Sequence, residues 1–227
     1  MEITEVKIRE ALQKARETGE PAVIGRVPNA VRLVCFDMDG TLIRMETINE
    51  IAKLVGIETK MKGLTLQAMA GNEDFKENFS RRVRMLSGVP VSMLREIATA
   101  LPYAKGIENL MDYLRVKNIR TAIITGNFNL FGELLKERLG FDYIFTTEPE
   151  IENGYLTGEI CGEIIDAGAK ESILKNLCRE LCIPLEEAIA VGDGANDVPM
   201  LVAAGVGVVY NAINAKAGID EVISKIL

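Results

Sequence analysis

The chain has 227 residues, a formal net charge of -7 and a pI near 4.9, with 48% hydrophobic and 26% charged residues. That supplies core material for one large or two small domains and excludes disorder, a collagen-like fibre and a coiled-coil rod. There is no histidine, so Ser-His, Cys-His and His-ligated zinc chemistries are excluded, and no basic run favours a nucleic-acid partner.

In chain order, residues 4–17 read as a helix broken by Gly19 and Pro21, an accessory arm spanning 1–28. Its charged start does not fit a signal peptide. Val31–Phe36 is a short apolar run, as expected of a strand buried on both faces. Similar runs follow at 121–125, 142–146, 188–191 and 206–210. Helical patterns at 106–117, 129–139, 168–182 and 196–204 separate several of them. Asn153-Gly154 between extended residues marks a hairpin over 151–160.

The stretch 45–101 differs. It carries helical patterns at 46–55, 58–70, 73–86 and 91–100 and no strand candidate. The expected architecture is therefore α/β: a doubly wound, Rossmann-like parallel sheet built from 29–44 and 102–227, with 45–101 as a small helical cap inserted after the first core strand. The uncharged stretch 198–215 is interrupted by Pro199, Gly205 and Gly207, so it is not expected to span a membrane. Cys35, Cys161, Cys178 and Cys182 contain no Cys-x-x-Cys pair and read as reduced thiols, the last two spaced to share a helix face. A cytoplasmic setting is expected, and the oligomeric state is left open.

In an open α/β sheet, ligands bind beyond the carboxyl ends of the strands. The first core strand is followed by Asp37-Met-Asp-Gly-Thr41, the second by Thr125-Gly-Asn127, and another by Gly192-Asp-Gly-Ala-Asn-Asp197. Carboxylates gathered there repel one another unless a cation joins them, and an all-oxygen donor set selects a hard ion, Mg2+ foremost. One carboxylate can attack phosphorus to give an acyl phosphate, while a second protonates the leaving oxygen and later deprotonates water.

Phe36-Asp-Met-Asp-Gly-Thr-Leu42, Thr125, Lys170 and Gly192–Asp197 resemble the four motifs of the haloacid dehalogenase superfamily over about 30–227. Within it, Glu46–Glu50, Ala68–Gly71, Phe75, Arg81–Val83 and Val191–Asp197 are most similar to the phosphoserine phosphatases. The resemblance implies Asp37 as nucleophile and Asp39 as general acid and base. It implies Mg2+ held by the Asp37 carboxylate, the Asp39 backbone carbonyl and Asp193, with Asp197 behind them orienting Lys170 or a bound water. Thr125, Gly126 and Lys170 would bind the phosphoryl group, Glu46 an ammonium and Arg82 a carboxylate. Met69 and Phe75 would close the pocket, and Asn127 and Asn196 would border the substrate.

The implied activity is Mg2+-dependent hydrolysis of a small phosphorylated metabolite, L-phosphoserine foremost, as in serine biosynthesis. The chain departs from that subfamily at Gly40, usually Ser, and at Thr125-Gly126-Asn127, usually Ser-Gly-Gly. A phosphotransferase using the same residues, or a phosphatase for another metabolite, is the alternative. Asp39 weighs against a pure binding domain, which needs no acid two residues past a nucleophile.

Overall fold

The computed structural model describes residues 3–69 and 75–227, with residues 65–69 described by their backbone alone. The chain begins with helix α1 (Glu5–Thr18) and strands β1 (Ala22–Gly25) and β2 (Leu33–Phe36). Four helices follow, α2 (Thr47–Leu54), α3 (Glu58–Met69), α4 (Phe75–Arg84) and α5 (Val91–Thr99). Next come α6 (Ile107–Val116), β3 (Arg120–Phe128), α7 (Asn129–Leu139), and the hairpin of β4 (Tyr143–Glu152) and β5 (Tyr155–Cys161). The chain continues through α8 (Ala167–Glu180), β6 (Ala188–Gly192), α9 (Val198–Ala203), β7 (Val206–Val209) and α10 (Ile219–Ile223).

The sheet order is β1-β7-β6-β2-β3-β4-β5. The five inner strands from β7 to β4 are parallel, and β1 and β5 add antiparallel edges. Residues alternate between the two faces with the period of two that a strand imposes. Val34, Phe36, Ile189 and Val191 face one apolar layer, while Leu33, Cys35, Ala188 and Ala190 face the other. α6, α7 and α10 cover the first face; α1, α8 and α9 cover the second. This double cover explains why the inner strands read as unbroken apolar runs.

The expected arm holds more than a helix. β1 pairs with β7 in the register Ala22↔Val209 to Gly25↔Val206, and α1 buries Ile8, Leu12 and Ala15 against the second face. Thr4 caps the start of α1, and Gly19 ends it in the left-handed conformation (φ 69°). One expected pairing changes: α8 ends at Glu180, so Cys182 (φ 52°) lies beyond the helix and is exposed, whereas Cys178 is buried on α8. The αR cap at Leu181 ends the shared helical face before Cys182 reaches it.

The cap helices α2–α5 share the first apolar layer through Ile48, Ile51, Met61, Phe79, Val83 and Leu94. They are also tied to the β4–β5 hairpin. Gly88 N–H donates to Leu156 O (2.8 Å), Leu156 N–H to Val89 O (2.9 Å), and Val91 N–H to Gly154 O (2.9 Å). Among the described residues, no helix is long and apolar enough to cross a membrane.

Candidate active site

Four segments meet at the carboxyl ends of β2, β3 and β6, beneath the cap. Asp37 follows β2 directly. Gly40 turns the chain at φ 71°, and a Cβ there would lie 2.4 Å from Asp193 Oδ2. A side chain at this position would press on the Asp193 carboxylate, so glycine suits the turn at positive φ. Asp193 and Asp197 lie in the turn after β6, and Lys170 projects from the first turns of α8, whose start is capped by Asp166.

The Asp37, Asp193 and Asp197 carboxylates each place an oxygen within 4.8 Å of the others. Lys170, fully buried, donates through Nζ to Asp37 Oδ1 and to Asp197 Oδ1, the latter at 2.7 Å. Asp197 Oδ2 accepts the backbone N–H groups of Asp193 (3.1 Å) and Gly194 (2.9 Å). Both Asp197 oxygens are thus engaged in holding Lys170 and the loop. Asp37 and Asp193 are the carboxylates left facing the cavity. An all-oxygen set of this kind fits a hard divalent cation.

Burial raises the Asp37 carboxyl to about 7 against the pull of Lys170, and Asp197 adds to the rise. Burial, then Asp37 and Asp197, hold Asp193 well above the usual carboxylate range. A cation bound here must displace a proton from this cluster. The apparent Mg2+ affinity should therefore rise about tenfold from roughly pH 6 to pH 8, measured by titration calorimetry in buffers of different ionisation enthalpy. An affinity independent of pH and buffer would contradict it. The folded value of Asp37 lies above its unfolded one, so this group also makes the metal-free protein less stable as pH climbs through 7.

Asp39 turns away from the cluster. Its Oδ2 accepts from Thr47 N (2.8 Å), Thr47 Oγ1 (2.9 Å) and Asn127 Nδ2 (2.7 Å), while its Oδ1 is buried without a partner. Burial, with Glu46 and Asp37 adding like charge, pushes its carboxyl well up, so its protonated form is favoured. Asn127 Nδ2 also meets Thr47 Oγ1, and its Oδ1 accepts from Phe128 N (2.8 Å). The Asn127 amide thus holds Asp39 and the Phe128 backbone N–H while still lining the cavity. Thr47, at the start of α2, was not singled out from sequence. A hydroxyl at a helix N-terminus just past an acidic turn is the signal that could have found it.

A cavity of about 450 Å3 joins these groups to the cap. Asp37, Asp39, Thr125, Gly126, Asn127, Asp193 and Asn196 line its core side, and Glu46, Phe75, Phe79 and Arg82 line its cap side. Phe75 stacks on Phe79, with centroids 5.9 Å apart. The Arg82 guanidinium lies over the Phe79 ring at 5.3 Å, and its Nε is buried without a hydrogen-bond partner. Burial lowers Arg82 against the opposing pull of Glu46. Glu46 is exposed at the cavity wall, yet desolvation lifts its carboxyl, with Arg82 again opposing. The Met69 side chain lies outside the described residues.

The family model for haloacid dehalogenase-like hydrolases matches residues 31–205. The chain belongs to this family. Among other members, it is 44% identical to the phosphoserine phosphatase of Archaeoglobus fulgidus over 181 residues, which are 80% of this chain and 53% of that one. It is 39% identical to the phosphoserine phosphatase of Idiomarina loihiensis, over 83% of this chain and 86% of that one. A solved structure described as a phospho-aspartyl intermediate analogue of phosphoserine phosphatase superposes with a TM-score of 0.73. Its identity is 34%, over 78% of this chain and 85% of that one. The chain spans only 53% of the length of its Archaeoglobus fulgidus relative and 65% of the Vibrio cholerae phosphoserine phosphatase.

Proposed function

We propose that the protein is a Mg2+-dependent phosphomonoester hydrolase acting on L-phosphoserine through an aspartyl-phosphate. One observation carries the substrate: Glu46 and Arg82 line the same cavity as Asp37 and Asp39. An amino-acid phosphate presents an ammonium, a carboxylate and a phosphate, for which an acid, a guanidinium and the Asp37 cluster are the complementary groups. The phosphoserine phosphatase names of its relatives support the same reading.

On this reading, an Asp37 carboxylate oxygen attacks phosphorus as the ester P–O bond breaks, and Asp39 gives its proton to the departing serine oxygen. Asp39, now ionised, takes a proton from water. The resulting hydroxide attacks phosphorus, which releases phosphate and restores Asp37. Thr125, Gly126 and Lys170 hold the phosphoryl oxygens, with Lys170 set by Asp197. The Asn127 and Thr47 donors fix Asp39 Oδ2 and leave Oδ1 to carry the proton. Asp37, Asp193 and the Asp39 carbonyl would hold Mg2+, which supplies charge neutralisation at the phosphoryl group. Asn196 borders the substrate, and Phe75 excludes water. The division into a core and a cap over 45–101 belongs to this reading, as does a reducing cytoplasmic setting, supported by the buried thiols Cys35 and Cys178.

The test is phosphate release with Mg2+ and with EDTA. L-Phosphoserine should exceed glucose 6-phosphate in kcat/KM by about a hundredfold, and EDTA should abolish turnover of both. Equal rates on the two esters would remove the substrate assignment; metal-independent turnover would remove the mechanism.

A further inference from the structure

The segment before residue 31 lies outside the family match, yet it contributes a side chain to the cavity: Arg16 of α1 lines it together with Asp37, Glu46, Arg82 and Asp193. We infer that Arg16 is a substrate-specificity residue, a second guanidinium at the cavity mouth that receives the carboxylate of an amino-acid phosphate alongside Arg82. The inference rests on the phosphatase reading above and extends it to a part of the chain that reading does not use.

The backbone that carries Arg16 is fixed. Asn214 Nδ2 donates to the carbonyls of Arg16 (2.8 Å) and Ala15 (3.3 Å), and Lys216 N–H donates to Gly19 O (2.9 Å). The buried residues Ile8, Leu12 and Ala15 key α1 to the sheet, and the β1–β7 pairing holds the segment behind it. The guanidinium emerges beside Ala195, where a second, shallower pocket of about 370 Å3 adjoins the mouth. It is exposed and forms no ion pair or hydrogen bond among the described residues. The exposed Arg9 and Arg120 pair with Glu5 and Asp142, whereas Arg26 and Arg95, like Arg16, are without an ion pair among the described residues.

Arg16 shares the cavity wall with acids of both ends, Glu46 on the cap side and Asp193 on the core side. Its charge reaches Glu46 and Asp193, opposing the rise of both carboxyls. The phosphoryl end already has Lys170, Thr125 and the cation-binding acids. A cation at the mouth is therefore placed for the tail of the substrate, and a planar guanidinium matches a carboxylate. Because Arg16 faces solvent, its contribution is modest in size and shows in binding more than in chemistry.

The test uses inhibition of p-nitrophenyl phosphate hydrolysis by L-phosphoserine and by phosphoethanolamine, which differs only in lacking the carboxylate. In Arg16→Gln, the inhibition constant of L-phosphoserine should rise about fivefold to tenfold, that of phosphoethanolamine should change less than about twofold, and kcat should stay within about twofold. Arg16→Lys, which keeps the charge and the helix, should restore part of the loss. Equal rises for both inhibitors would mean a general field effect and would overturn the inference, as would no rise for either. A wild type that releases no phosphate from L-phosphoserine with Mg2+ would bring down the phosphatase reading itself, and this inference with it.

Discussion

Asp37→Asn should lower kcat for phosphate-ester hydrolysis by about a thousandfold or more, because an amide oxygen cannot serve as the attacking carboxylate. The substitution keeps the shape of the side chain and an acceptor for Lys170 Nζ. It also removes one of three clustered acids whose mutual repulsion burdens the metal-free protein. The melting temperature in EDTA should therefore hold or rise while turnover vanishes. Phosphate release under saturating Mg2+, read beside thermal unfolding, separates the two effects. Retained turnover would remove Asp37 as nucleophile. Lost turnover accompanied by a collapsed melting temperature would show a structural role instead.

Lys170→Met should cost about 3–5 kcal/mol of stability in EDTA near pH 8. Methionine fills much of the same volume, so the loss is electrostatic: Asp37 and Asp197 remain buried without their shared cation. The deficit should shrink at about pH 5, where an orphaned carboxyl can take up a proton. Excess Mg2+ should recover part of it at pH 8, since the ion supplies positive charge to the same acids. Urea unfolding under these three conditions checks the pattern. A pH-independent loss below about 1 kcal/mol would exclude the charge-balancing role.

The acids were legible because each lies within a few residues of a buried strand, and strand ends in this architecture converge in space. Asp37 and Asp193 could thus be found one motif at a time, whereas Lys170, on α8, came from the family resemblance alone. The hold on Asp39 could not, since Asn127 and Thr47 meet across 80 positions of sequence and Asn127 reaches Asp39 across 88. Nothing local to Asn127 distinguishes an amide that borders a substrate from one that clamps an acid. β1 was missed for a related reason. Its four residues, Ala22–Gly25, are too few to show a period, and they become a strand through pairing with β7, which lies more than 180 positions away. Without β1, the placement of α1 over the second face and of Arg16 at the cavity mouth was out of reach.

The seam between the cap and the β4–β5 hairpin bears on how a molecule gets in and out. The cap joins the core at two covalent crossings and, through Gly88, Val91 and Leu156, at a third anchorage remote from both in sequence. Swinging the whole cap away would sever three backbone hydrogen bonds, each worth about 0.5–1.5 kcal/mol, and would expose Leu156 and Val89 to water. Distortion confined to α2 and α3 spares that anchorage, whereas α4 packs on β5 and pairs with it through Arg84 and Glu159. Traffic through the cavity is therefore cheapest by a partial parting of the wall that bears Glu46, with the α4–β5 edge acting as a fixed hinge.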